Sequence, residues 1–349
     1  MMKKMSLLLA LCMTAALTAC GKPAETKPAE NPTTAAAAES GKEADSMAAD
    51  TQAAETDYPK KSVQFIVPYS AGGGTDSLMR LLTAAMEKDW GQPLVVSNKG
   101  GGLGQVGLTE LAAAKPDGYT IGALSNSDHV LVLLTGENVS YNYDSFEYLG
   151  AINTTSNVLM AGKDSGFKSM EDLVAYAKEN PGKVTVSISG KTHIAELGLF
   201  EQAAGIKLTT VMQESGSDSL NAILGGHVDC AVLDKKFVAQ VEGQGIETLV
   251  TFAGERVPVI PDIPTLKELG YGVATETYRV IVAPKGTPQE IKDKITATMK
   301  KVTDEEFQKS MTDMSELYRF LDQDEVKARL DQDYKAVESL VAENPDLFK

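Results

Sequence analysis

Val63-Gln64-Phe65-Ile66-Val67-Pro68-Tyr69-Ser70-Ala71-Gly72-Gly73-Gly74-Thr75-Asp76 is a β-rich apolar run stopped by proline, then a glycine-rich loop. The next segment has helical period: Leu78, Leu81, Leu82, Ala85 and Met86 share one stripe of a helix expected over 77–88. The same order returns at once. Leu94-Val95-Val96 is a strand, Asn98-Lys99-Gly100-Gly101-Gly102-Leu103-Gly104-Gln105 a second glycine loop, and a helix runs on to Ala114. Pro116-Asp117-Gly118 makes a turn before a third strand over 119–124. Short apolar strands alternating with helices predict an α/β fold whose parallel sheet is covered on both faces.

The grammar repeats downstream. Helices are expected over 169–179, 194–204 and 217–224, and strands over 184–188, 208–212 and 230–233. A strand over 280–284 and two helices, from Pro288 to about Val302 and from Glu325 to about Val341, close the chain. The last helix carries Val326, Leu330, Tyr334, Val337 and Val341 on one face, which docks it on the domain surface. Two similar α/β halves imply a cleft between them, with ligand loops at the carboxyl ends of the strands. Both glycine loops sit between a strand and a helix start. Glycine lets the backbone turn sharply and approach a ligand, and the helix start adds unpaired N–H donors and a positive dipole end. Side by side, the two loops suit a carboxylate.

The 349 residues carry 33 Lys plus Arg against 48 Asp plus Glu, a formal charge of −15. With no basic block, the chain lacks the phosphate-neutralising surface a nucleic-acid binder needs. Met1-Met2-Lys3-Lys4 and the apolar run from Met5 to Ala19 read as a signal peptide, too short to span a bilayer as a helix. The run ends Leu17-Thr18-Ala19-Cys20-Gly21, which resembles the lipobox of bacterial lipoproteins and makes Cys20 the expected lipidation site. Cys12 is then discarded, and only Cys230 stays as a thiol, so the mature chain has no internal disulfide. Residues 21–58 hold eleven Ala and eight acidic residues against three Lys, a solvated tether without a core.

Rival motifs fail on their partners. Gly102-Leu103-Gly104-Gln105-Val106-Gly107 matches a dinucleotide fingerprint, yet the next strand ends Leu124-Ser125-Asn126-Ser127 with no acidic residue before Asp128. Ser189-Gly190-Lys191-Thr192 mimics the end of a P-loop, but Thr185 occupies the earlier glycine position. No G-x-S-x-G occurs, and His129, His193 and His227 lack metal-ligand spacing, so no metal site and no cofactor are expected. His193 follows a strand end and is a candidate ligand donor. His129 and His227 read as surface or turn residues. Cys230 reads as a small core residue.

These segments together resemble the extracytoplasmic solute receptors of the tripartite tricarboxylate transporters. The motifs are Tyr58-Pro59, Ile66-Val67-Pro68-Tyr69 with Gly72-Gly73 and Asp76, the 98–107 loop, Lys115-Pro116-Asp117-Gly118-Tyr119-Thr120, and Tyr176-Ala177-Lys178-Glu179-Asn180-Pro181-Gly182-Lys183. The 261–270 segment, Pro261-Asp262-Ile263-Pro264-Thr265-Leu266-Lys267-Glu268-Leu269-Gly270, and Ala283-Pro284-Lys285-Gly286-Thr287-Pro288 complete the series.

The resemblance implies a two-domain, flytrap-like periplasmic-binding-protein fold of type II. Domain 1 would comprise 59–155 plus 279–349 and domain 2 residues 156–278, preceded by a signal peptide (1–19) and a lipidated tether (20–58). It implies a non-enzymatic receptor that captures a small organic carboxylate for membrane permease subunits; with the lipobox-like start, a monomer lipid-anchored outside the cytoplasm is expected. A carboxylate sensor for a signalling partner and, at a distance, a dinucleotide-binding enzyme are the alternatives. By position, Tyr69, Ser70, Gly73, Thr75 and Asp76 would line the first loop and Gly101 and Gly102 the second. Ser189, Gly190, Thr192, His193 and Asp234 would face them from domain 2, with Tyr278 and Arg279 at the return to domain 1. The chain departs from the family pattern at Met212-Gln213-Glu214-Ser215-Gly216, at Tyr278 and at Leu103. Glu214, where lysine is usual, points to a far end of the pocket poorly suited to a second carboxylate.

Overall fold

The computed structural model describes residues 57–314 and 316–348. The expected signal peptide, Cys20 and nearly all of the tether lie outside the described residues. The chain opens with β1 (Val63–Val67), α1 (Gly74–Trp90), β2 (Leu94–Asn98), α2 (Gln105–Ala112), β3 (Thr120–Ser125), α3 (Asn126–Thr135) and β4 (Phe146–Thr154). It crosses to a second sheet through β5 (Asn157–Ala161), α4 (Met170–Glu179), β6 (Thr185–Ile188), α5 (Lys191–Ala204) and β7 (Thr209–Met212). Next come α6 (Gly216–Leu224), β8 (Cys230–Asp234), α7 (Val238–Val241) and β9 (Glu247–Thr251). The return is made by β10 (Arg279–Pro284), then α8 (Gln289–Val302), α9 (Glu305–Asp313), β11 (Leu317–Leu321) and α10 (Gln323–Glu343).

Two sheets result, in the orders β11-β4-β10-β3-β1-β2 and β7-β6-β8-β5-β9. Each is packed between apolar layers, so there are two lobes with separate cores. In the first, Phe65, Val67 and Ile281 face α1, α8 and α9, while Ile66, Leu124 and Val280 face the layer that includes α2 and α10. The expected parallel pairing holds for β1 with β2 and β3, and for β6 with β7 and β8. It does not hold throughout. β10 runs antiparallel to β3 and β4, and β5 antiparallel to β8 and β9. The cause is the double crossing: a strand arriving from the other lobe enters at the gap edge and must run away from it, against β3, whose carboxyl end faces the gap.

The crossings are short. Only Thr155 and Ser156 separate β4 from β5, and Thr155 is bridged to Thr277 just before β10. Pairing of Arg279 with Ser125 and of Asp234 with Asn157 aligns the ends of β1, β2, β3, β6 and β8 on facing edges. The terminal helix does more than dock on one domain. Val337 and Leu340 of α10, with Phe348, join Val130 and Leu131 of α3 and Ala195 of α5 in one apolar cluster, so α10 touches both lobes. His129, expected at the surface, is instead fully buried among Tyr141, Phe146 and Tyr148; burial lowers its pKa to about 3. It sits on the inward face of α3, and its Nε2 pairs with the Tyr148 hydroxyl (3.3 Å). His227 is exposed in the turn after α6, and Cys230 is a free, buried thiol.

Candidate functional site

The first glycine loop leaves β1 at Pro68 and enters α1 through Gly73, whose side-chain-free N-cap leaves the first-turn N–H groups without a side-chain acceptor. The helices after β2, β3 and β6 also begin without a side-chain cap, at Gly104, Ser125 and Gly190. By contrast Ser169, Ser215, Asp304 and Asp322 cap α4, α6, α9 and α10. Such a cap is worth about 1 kcal/mol; its absence leaves first-turn donors available for an anion at α1 and α5, whereas at α2 and α3 Gln105 N, Val106 N and Asn126 N donate to the carbonyls of Gly102, Gly101 and Tyr278.

Asp76 organises both glycine loops rather than facing the gap. It is 2% exposed, and its carboxylate accepts from Gly72 N (2.8 Å), Arg80 Nε (3.0 Å) and Asn98 Nδ2 (2.9 Å). The Asn98 amide also donates to Tyr69 O (3.1 Å), so one carboxylate and one amide knit the first loop to the second. Burial alone would raise the Asp76 pKa, but these hydrogen bonds outweigh it and hold it below the usual value. The second loop is shaped by close approach: a Cβ at Gly107 would lie 2.8 Å from Pro68 Cβ and 2.9 Å from Lys99 O. Gly107→Ala is therefore expected to cost about 1–3 kcal/mol, whereas Gly74→Ala, with nothing within 4 Å of the new methyl group, is expected to leave the melting temperature unchanged. Equal melting of the two variants would refute the packing argument.

Arg279 lies where these loops meet the returning strand. Its backbone N–H donates to Asn153 Oδ1 (2.9 Å) and its Nε to Thr75 Oγ1 (3.2 Å). Its Nη1 is buried with no hydrogen-bond partner. Tyr69, Asp128 and Lys235 surround it closely enough for their charges to interact. The Tyr69 hydroxyl accepts from Ser125 N (3.1 Å), and burial raises the pKa of both Tyr69 and Asp128.

From the second lobe, His193 Nδ1 accepts from Ser189 N (3.2 Å), which fixes the neutral tautomer with its proton on Nε2. Burial pushes its pKa down to about 4 against the opposing pull of Asp234, so the ring is an uncharged donor at neutral pH. Asp234 caps the turn after β8 through Lys236 N (2.9 Å). Lys235 is 4% exposed and donates to Thr155 Oγ1 (2.7 Å) at the crossing. Deeper in α5, Glu196 accepts from Asn157 Nδ2, and burial raises its pKa to about 8.

Loop, strand-end and helix-start residues thus gather Tyr69, Ser70, Gly73, Thr75, Gly101, Gly102 and Arg279 on one edge, with Ser189, Gly190, Thr192, His193 and Asp234 on the other. Tyr278 is not brought to this gap. Neighbouring residues of a strand point to opposite faces, so while Arg279 meets Thr75, Tyr278 is 2% exposed and donates to Asp333 of α10 (2.8 Å). Asn153, Thr155, Asp128 and Lys235 are not marked as site residues by the sequence. Only Asp128 carries a local signal, an acidic residue just past Ser125-Asn126-Ser127 at a strand-to-helix junction. Among the described residues no group of three or more His, Cys, Asp or Glu is placed to hold a metal ion.

Two α/β lobes joined by two short crossings, with uncapped helix starts and a half-buried arginine at the gap, define a two-lobed solute-binding protein of the periplasmic type. The family described as "Tripartite tricarboxylate transporter family receptor" matches residues 78–344, and the chain belongs to it. It is 32% identical over 258 residues to the "UPF0065 protein in gbd 5'region" of Cupriavidus necator, covering 72% of this chain and 78% of that protein. The crystal structure of a TctC solute-binding protein from Polaromonas superposes with a TM-score of 0.75 at 25% identity, covering 82% of this chain and 99% of that one. MatC of Rhodopseudomonas palustris with bound malate gives 0.63 at 26% identity, covering 81% and 100%. The family is one of solute-binding receptors, and no helix among the described residues is long and apolar enough to cross a membrane.

Proposed function

We propose that the chain is an extracytoplasmic receptor that captures a small organic carboxylate in the gap between its lobes and delivers it to the membrane subunits of a tripartite transporter. One observation carries the reading. The Arg279 guanidinium, fixed by Thr75 at the uncapped start of α1, keeps a buried Nη1 without a partner. A buried donor left unsatisfied costs about 1–3 kcal/mol. A carboxylate arriving there converts that cost into a charge-assisted bond of the planar, forked kind that arginine favours. The malate bound to MatC is a carboxylate of the class this reading requires.

In this mechanism the ligand's carboxylate sits between Arg279 and the N–H groups of the two glycine loops, with Ser70, Gly73, Thr75, Gly101 and Gly102 in contact. Ser189, Gly190, Thr192 and the Nε2–H of His193 close on it from the second lobe. Asp76, Asn98 and Asp234 hold the loops in place. Capture needs no covalent step, so the bound acid leaves unchanged. The lipobox-like Leu17-Thr18-Ala19-Cys20 supports attachment of the receptor to the membrane by lipid at Cys20, with residues 21–58 as its tether.

A thermal-shift screen of organic acids tests the reading, because a ligand that binds only the native state raises the melting temperature. At least one small carboxylate is expected to raise it by several degrees, and the matching primary amide to leave it unmoved. Equal shifts for an acid and its amide would contradict recognition of the charge.

A further inference from the structure

Beyond the glycine loops, a cavity of about 690 Å³ lies between the lobes. The second lobe supplies one side of it, from Lys235 through α7 to the start of β9 together with residues 259–263; Thr312, Glu316 and Leu317 of the first lobe supply the other. A row of contacts joins this cavity to the arginine. Asn153 accepts from Arg279 N through Oδ1 and donates through Nδ2 to Glu316 Oε2 (2.8 Å) on the cavity wall. Lys235 lines the cavity and is near enough to Arg279 for the two charges to repel.

The wall is chemically divided. Val238, Ile246, Ile260 and Leu317 give it apolar sides. Its cations, Lys235 and Lys236, come directly after β8, while Glu242, Asp262 and Glu316 bring three carboxylates to the lining; of these Glu316 stands beside Lys235 and, through Asn153, is joined to Arg279. Pockets of roughly 300–1,000 Å³ with apolar walls and few polar groups enclose ligands of drug size. Three carboxylates around such a space act against any ligand that carries a second negative charge.

We propose that this cavity receives the body of the ligand and that the ligand is a monocarboxylate with an apolar body the size of an aromatic ring or longer. The inference rests on the carboxylate receptor reading above and goes beyond it in naming the substrate class. The carboxylate stays at Arg279 and the glycine loops; the hydrocarbon part lies between α7, the 259–263 segment and Leu317, out of water.

Calorimetric titration of the purified protein with 3-phenylpropionate, octanoate, acetate, malate and adipate tests it. At least one of the two apolar acids is expected to bind ten times more tightly than acetate, malate or adipate. Ile260→Glu is expected to weaken that apolar acid at least tenfold while changing acetate binding by less than twofold. Val259→Glu, at a side chain 59% exposed on the same wall, adds no burden to folding and is expected to act in the same direction. Tighter binding of malate or adipate, or unchanged affinity for the apolar acid in both variants, overturns the subsite and leaves the receptor standing. Absence of binding by all five acids overturns the receptor reading and the subsite with it.

Discussion

Arg279→Ala is expected to weaken carboxylate binding at least tenfold, with little change in melting temperature. Tenfold corresponds to about 1.4 kcal/mol, and one charge-assisted hydrogen bond contributes about 1.5–3 kcal/mol, so loss of the Nη1 contact alone reaches that size. Stability should hold because the arginine's side chain is tied to the protein by a hydrogen bond from Nε to Thr75 at 3.2 Å, while Nη1 is orphaned. Removing the orphan offsets what is lost with the Thr75 contact. Arg279→Lys should recover only part of the affinity, since a point charge cannot reproduce a planar fork anchored at one end on Thr75. Calorimetry on the two variants and the parent checks both expectations; unchanged affinity in the alanine variant would remove Arg279 from the site.

Asp76→Ala is the second large effect, and it acts through both loops at once. Three donors, from Gly72, Arg80 and Asn98, lose their acceptor, and two of them shape the loops that face the gap. Arg80 is half exposed and finds water, so its share is small. The Gly72 and Asn98 donors together put the loss at about 2–3 kcal/mol, read as a drop in melting temperature. Carboxylate affinity should fall as well. The sign of the pH dependence comes from the lowered pKa of Asp76. A group ionised more easily when folded than when unfolded stabilises above its unfolded value, near 3.8, and that contribution disappears as pH falls through the folded value. The gap in melting temperature between parent and Asp76→Ala should therefore be full at pH 6 and shrink below pH 4. A constant gap down to pH 3 would mean the carboxylate's charge plays no part.

Much of the fold is legible in the sequence because its elements are short and well punctuated. Val63–Val67 ends at Pro68, Thr185–Ile188 ends at Ser189-Gly190, and α4 starts at a Ser169 capping box, each a local signal with a local cause. β4 and β5 are not legible in this way. Phe146–Thr154 and Asn157–Ala161 are separated by no proline or glycine, and Gly150, which looks like a break, lies inside β4 at φ +140°. There a Cβ would come within 2.8 Å of Leu321 O, so packing against β11 demands the glycine. Strand direction is equally invisible. Val280-Ile281-Val282-Ala283 reads the same whether parallel or antiparallel, and only the crossing from the other lobe sets it.

The site divides along the same line. Glycine loops are legible because positive φ and close backbone approach require glycine, as at Gly101 and Gly104 (φ +133° and +94°). Asn153 and Lys235 carry no such mark. Their importance comes from register and from the facing of two edges, which are properties of the assembled sheets. Tyr278 shows the converse: its position in the family pattern suggests a place at the gap, and strand alternation turns it toward α10 and Asp333.

A crystal structure of the protein grown with a carboxylate that raises its melting temperature is the most direct test. The prediction is a carboxylate oxygen within about 2.7–3.2 Å of Arg279 Nη1, with the second oxygen on first-turn N–H groups of α1 or on the 100–102 loop. A carboxylate bound elsewhere, with Arg279 Nη1 still unpaired and the uncapped helix starts facing only water, would contradict capture at the arginine and the glycine loops.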